Sequence, residues 1–156
     1  MPADRIEREI DIDAPIDVVW AVITEPEHIT GWFTDSAELD LRQSGKGRFG
    51  WDVKATNRKL VVNLRVERLD PPNFFSFRWH YPDGDEPSEA NAPLVEFSLE
   101  ARGDSTRLRL VESGLEKIAR SDEAKATYLA EHASGWTLIV ERLRDYAPKQ
   151  RSTVAG

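Results

Sequence analysis

The sequence predicts an α+β domain in which a curved antiparallel sheet grips one long C-terminal helix. Three observations carry that prediction. A half-buried strand pattern over residues 6–12 leads into two short helical segments, the first opened by Ala14-Pro15 and the second ended at Gly31-Trp32-Phe33. A run of alternating segments joined by tight turns fills the middle of the chain. One amphipathic stretch, from Ser121 to Tyr146, closes it. A sheet wrapped around a helix leaves an apolar hollow, so the functional question becomes what occupies it.

Each element follows from its local pattern. Ile6, Ile10 and Ile12 share one side of the first strand, with Glu7, Glu9 and Asp11 on the other. Arg8 interrupts the apolar side, which suits a strand that begins at an exposed rim. Pro15 is preset for a first helical turn, and Val18, Val19, Ala21, Val22 and Ile23 give that helix its apolar face. Thr24-Glu25-Pro26-Glu27 has the spacing of a capping box, with Thr24 accepting at the start of the second helix, and Gly31 ends it. Ala37, Leu39 and Leu41 then alternate with Glu38 and Asp40. Gly45-Lys46-Gly47 predicts a tight connection, because glycine reaches positive φ cheaply. Phe49, Trp51 and Val53 share the next face, and Leu60, Val62, Leu64 and Val66 the one after a polar turn.

Asp70-Pro71-Pro72-Asn73 is a strong break. Phe75, Phe77 and Trp79 follow, then a long loop from Pro82 to Pro93, read either as a cavity lid or as an ordinary hairpin connection. Val95, Phe97 and Leu99 resume the alternation, Gly103-Asp104 turns the chain, and Leu108 and Leu110 run back. Ser121-Asp122-Glu123 caps the final helix, with acids where the helix dipole favours them, and Pro148 stops it. Tyr128, His132, Trp136, Ile139, Leu143 and Tyr146 form one stripe at three- and four-residue spacing.

Composition bounds the partners. The 156 residues fit a single domain, residues 4–147, with a flexible tail at 148–156. A domain of this size buries roughly 70% of the surface its unfolded chain exposes, so it needs no staples. Cysteine is absent, which excludes disulfides and thiolate chemistry and fits a reducing, cytoplasmic compartment. The charged N-terminus has no apolar signal core, and no run approaches the roughly 20 apolar residues of a spanning helix. The net charge of −7, from 28 acidic and 21 basic residues, argues against nucleic acid and membrane as partners.

The order and residues of these segments resemble the START-like, polyketide-cyclase-like (SRPBCC) superfamily. Within it they resemble the bacterial relatives of the activator of the heat-shock-protein-90 ATPase. The likeness lies in Ala14-Pro15 with Val19-Trp20, Trp32-Phe33, Gly47-Arg48-Phe49, Trp79, Thr106-Arg107-Leu108, Glu112-Ser113-Gly114 and Gly135-Trp136. It implies a helix-grip fold: a seven-stranded antiparallel sheet around the C-terminal helix, with a pocket closed by the two short helices and the hairpin tips. The superfamily includes lipid carriers, hormone receptors, cyclases, dehydratases and co-chaperone domains, so fold alone does not choose a function.

Glu112 is the residue with the most chemistry. It shares parity with Leu108 and Leu110, so strict alternation points it inward. Burial alone raises a carboxyl pKa, and an ionised group there needs donors; His132, Tyr128 and Trp136 on the final helix are the candidates. A Glu112–His132 pair in an apolar hollow would serve as general acid and base. The alternative is a bend near Ser113-Gly114 that turns Glu112 to the rim. His132 itself reads as a core histidine, a pocket-lining polar group or a catalytic base.

The candidate ligand-binding set is Trp32, Phe49, Trp51, Phe77, Trp79, Phe97, Glu112, Tyr128, His132 and Trp136. An indole lining a pocket needs a partner for its N–H, which a ligand or water can supply. Gly135 would let the helix approach the sheet closely. His28, His80 and His132 lie on separate elements without the spacing of a metal site, so neither metal nor cofactor is expected. The glycines of 45–50 lack the Gly-Lys-Ser/Thr of a phosphate loop, and Ser113 and Ser134 lack a nucleophile elbow. Three functions follow: binding of a small apolar or aromatic molecule, a cyclase, dehydratase or hydrolase reaction using Glu112 and His132, or a co-chaperone-like module contacting a chaperone.

Overall fold

The computed structural model describes residues 5–80, 87–88, 91–118 and 120–150. Its strands are β1 (Ile6–Ile12), β2 (Ser36–Leu39), β3 (Lys46–Val53), β4 (Arg58–Asp70), β5 (Phe74–His80), β6 (Leu94–Arg102) and β7 (Ser105–Ser113). Among the described residues they form one seven-stranded antiparallel sheet in the order β1-β7-β6-β5-β4-β3-β2. From β2 to β7 each strand lies beside its predecessor, and β1 returns beside β7. Helices α1 (Ile16–Thr24) and α2 (Pro26–Trp32) therefore carry the chain from one sheet edge to the other, and α3 (Asp122–Tyr146) lies in the curve. The fold is the helix-grip α+β arrangement the sequence predicts.

The alternation of the strands sets the core. Ile6, Ile10 and Ile12 of β1 are buried, as are Leu64 and Val66, Phe75 and Phe77, Val95 and Phe97, and Leu108 and Leu110. Register places these residues side by side: Phe97 is opposite both Phe75 and Leu110. Phe75 and Phe97 stack at 6.3 Å, and Phe49 meets Phe77 edge-on at 5.7 Å. The buried hydroxyl of Thr106 donates to the Ala14 carbonyl at 2.8 Å, fixing the entry to α1 against β7. Arg8, on the edge strand β1, crosses to α3, donating to the Ala133 carbonyl at 2.8 Å and to Thr137 Oγ1 at 3.2 Å.

Several local expectations are corrected. Thr24 is the last residue of α1, where its hydroxyl donates to the Trp20 carbonyl at 2.7 Å; the N-cap of α2 is Glu25, without a side-chain capping bond among the described residues. Pro26 already fixes the first turn of α2, so the capping box is not needed. Gly31 does not end α2 but lies inside it, because the Tyr146 ring packs there: a Cβ at Gly31 would stand 2.3 Å from Tyr146 Cε2. In the β2–β3 connection the left-handed residue is Ser44 (φ 66°) rather than a glycine. Gly45 is required for a different reason, since a Cβ would lie 2.0 Å from the Asp40 carbonyl oxygen. β2 stops at Leu39, leaving Leu41 exposed.

The cap of α3 is as expected: Ser121 Oγ accepts from the Ala124 N–H at 3.1 Å. After α3, Ala147–Gln150 form a 3-10 turn with Ala147 buried. The expectation for the tail beyond 150, and most of the 82–93 loop, lie outside the described residues. Among the described residues no helix is long and apolar enough to cross a membrane.

Candidate functional site

Tyr128, His132 and Trp136 follow one another at four-residue intervals, so α3 presents all three on one face. That face lies over the end of β7, where Glu112 points inward as strict alternation requires. Gly114 takes the left-handed conformation (φ 94°) and turns the chain only after Glu112 is in place. Glu112 is buried to 1% exposure. Its carboxylate accepts four hydrogen bonds. Oε1 takes Trp136 Nε1 at 2.8 Å and lies 3.0 Å from His132 Nδ1. Oε2 takes Trp79 Nε1 at 2.8 Å and the Tyr128 hydroxyl. Trp79 comes from β5, two strands away, so the carboxylate ties three elements together.

Burial pushes the Glu112 carboxyl up. The hydrogen bond and attraction of His132, with the bonds from Tyr128 and Trp136, outweigh it and hold the group below the ordinary glutamate range. An ionised carboxylate with four donors has its acceptor sites filled. It is therefore a structural anchor whose charge is already satisfied by the protein.

Next to this network lies a cavity of about 370 Å³ between α3 and strands β3, β4 and β5. Of the predicted binding residues, Trp51, Trp79, Tyr128, His132 and Trp136 line it. Glu112 lies behind them, reached only through its donors. Trp32, Phe49, Phe77 and Phe97 are placed in the closed core instead, each at most 3% exposed. Trp32 donates its indole N–H to the Val22 carbonyl at 3.0 Å. Strand parity put Phe49, Phe77 and Phe97 on the correct face but does not record depth, and Trp32 belongs to α2.

The three indoles that line the cavity find their N–H partners within the protein. Trp79 and Trp136 bond Glu112, and Trp51 donates to the Phe33 carbonyl at 2.8 Å. Trp79 and Trp136 stack at 5.7 Å and present ring surface to the cavity. Gly135 also differs from expectation. A Cβ there would meet no described atom within 4 Å, so the glycine opens space and does not permit close packing. Leu115 and Ile118, in and after a short 3-10 turn, complete the wall. No periodicity announces them, whereas Leu60, Val62 and Ile139 were legible from parity and stripe. Arg120, Lys125 and Glu131 stand at the mouth.

The family model described as Activator of Hsp90 ATPase homolog 1-like protein matches residues 13–147, and the chain belongs to that family. Solved structures share its fold. The crystal structure of DynU16, from the dynemicin biosynthetic locus, matches with TM-score 0.74 at 21% identity over 96% of this chain. The match covers 49% of DynU16, so the chain spans about half the length of that protein. CalU16 from Micromonospora echinospora matches at TM-score 0.64 and 23% identity, covering 97% of this chain and 85% of CalU16. The solution structure of the Aha1 dimer from Colwellia psychrerythraea matches at TM-score 0.69 and 17% identity, covering 92% of this chain and 95% of that one. No curated protein sequence matches the chain.

Proposed function

We propose that this protein binds a small, mostly apolar, ring-bearing molecule in the cavity between α3 and the sheet. One observation carries the reading. The polar ends of Trp51, Trp79, Trp136 and Tyr128 are all engaged by Phe33 or Glu112, and the space they surround is left to their apolar surfaces. A volume of about 370 Å³ falls within the range of small-molecule sites. A cysteine-free, acidic chain suits a cytoplasmic setting.

The enzyme reading draws on the 3.0 Å contact between Glu112 and His132 inside this site. In it His132 would be the reacting group and Glu112 its orienting partner, because the carboxylate has no open acceptor site for substrate. The chaperone-contact reading rests on family membership. The exposed large apolar side chains Leu41, Val53 and Leu138 sit on separate elements among the described residues and do not add a patch to it.

A thermal-shift panel of two- and three-ring hydrophobes tests the binding reading. A ligand at 100 times its Kd should stabilise the fold by about 2.7 kcal/mol. No shift with any ring compound, in protein shown to be free of copurified small molecules by mass spectrometry, would reject it.

A further inference from the structure

We propose that His132 is the polar anchor of the cavity and selects a ligand whose apolar body carries one weakly acidic hydroxyl, a phenol or an enol. The inference rests on the binding reading and deepens it. The Glu112 carboxylate can only accept, so the Nδ1 atom of His132 must carry the hydrogen between them. In a neutral imidazole this tautomer leaves Nε2 as an acceptor. Nε2 has no hydrogen-bond partner among the described residues. The ring is held in place from two sides: Tyr128 stacks on it at 3.7 Å between centroids, and Trp79 meets it at 5.8 Å, nearly perpendicular. His132 is half-buried and lines the cavity.

The polar groups of Trp51, Trp79, Trp136 and Tyr128 are committed elsewhere, and Asn91 Oδ1 accepts from the Ser88 N–H at 2.8 Å, which leaves Nε2 as a directional group for a ligand beyond the charged mouth. Glu112 sets its chemistry. The carboxylate fixes the Nδ1–H tautomer and the orientation of the ring, which leaves Nε2 to accept from a ligand O–H, the more strongly the more readily that hydroxyl shares its hydrogen. The balance is simple. The ligand O–H bond lengthens or breaks, the proton goes to Nε2, and Glu112 keeps its charge. Binding of the oxyanion to a protonated His132 places the same single proton between the same two atoms. In both forms the total charge of ligand, His132 and Glu112 is −1. An ether of the same ligand has no proton to give and loses the contact.

The test compares three probes with the same apolar body: naphthalene, 2-methoxynaphthalene and 2-naphthol, titrated against the whole protein by tryptophan fluorescence. 2-Naphthol should bind at least about tenfold more tightly than the ether, a ratio equivalent to about 1.4 kcal/mol. In His132→Phe that ratio should fall to within about twofold, the two probes being compared within the variant so that any change in its general apolar affinity cancels. The wild-type comparison stands even if the variant fails to fold. Equal or weaker binding of 2-naphthol, while naphthalene binds, overturns the His132 anchor and leaves the apolar-binding reading in place. Binding of none of the three overturns both.

Discussion

Trp136 on α3 and Glu112 on β7 meet through Nε1 and Oε1 at 2.8 Å, and both are at most 2% exposed. This bond joins the gripped helix to the sheet beside the cavity, and it turns an indole face, not an indole N–H, toward that space. The polar network and the apolar cavity are thus one construction. The carboxylate absorbs the donors that would otherwise make the pocket polar.

Removing the anchor should cost both stability and shape. Glu112→Gln offers one acceptor oxygen and turns an NH₂ toward groups that are themselves donors. Urea unfolding should show a loss of about 3 kcal/mol, in the range for leaving buried polar partners unpaired. A loss below about 0.5 kcal/mol would mean that the network contributes little to holding α3 on the sheet.

The acid dependence has a definite sign. The folded pKa of Glu112 lies below its unfolded value, about 4.3 for a free glutamate. Its contribution to stability is therefore present above that pH and is lost as pH falls through the folded pKa. Unfolding free energies measured between pH 7 and pH 3 should fall more steeply below about pH 4.3 in the wild type than in Glu112→Gln. Parallel curves would assign the acid sensitivity to other carboxylates, such as Asp11, whose pKa is lowered by its hydrogen bond to Arg107.

Gly135 separates stability from binding. A Cβ there meets no described atom, so Gly135→Ala should gain about 1 kcal/mol of helix stability with little effect on binding. Gly135→Leu should remain folded and lose ring-ligand binding by filling the cavity. Denaturant titration and naphthalene titration on the same two variants check the pair of outcomes. Unchanged binding in a folded Gly135→Leu would move the ligand elsewhere.

Gly31 and Tyr146 hold the far end of α3. The Tyr146 hydroxyl bonds His28 Nδ1 at 2.9 Å, and its ring occupies the place of a Gly31 side chain. Gly31→Ala should destabilise the fold by about 1–3 kcal/mol through overpacking. Adding Tyr146→Leu should recover part of that loss, so a double-mutant cycle should show coupling above about 0.5 kcal/mol. Additive losses would show that the two sites do not press on one another.

Much of this was legible in the sequence, for physical reasons. The spacing of Tyr128, His132 and Trp136 named one helix face, and the parity of Leu108, Leu110 and Glu112 aimed the carboxylate at it. Both are one-dimensional periodicities that survive folding unchanged. Depth was not legible: Phe49, Phe77 and Phe97 obey the same alternation as Trp51 and Trp79 yet lie in the closed core. Whether a ring meets another ring or an opening depends on where α3 diverges from the sheet, which no strand pattern records. Gly135 reads as a close approach and Gly31 as a helix end, whereas the structure has open space at the first and a close approach at the second. A missing side chain marks either a close approach or an open space, and only the neighbouring element decides which.

The five tryptophans offer the most direct test of the cavity. Trp51, Trp79 and Trp136 line it, while Trp20 packs edge-on against Phe75 and Trp32 is buried with its N–H on Val22. The indole N–H resonances should be followed by NMR as naphthalene is added. The account predicts saturable ring-current shifts at Trp51, Trp79 and Trp136, little change at Trp20, and loss of the response in Gly135→Leu. Saturation without shifts at those three indoles, or shifts of equal size at Trp20, would contradict it.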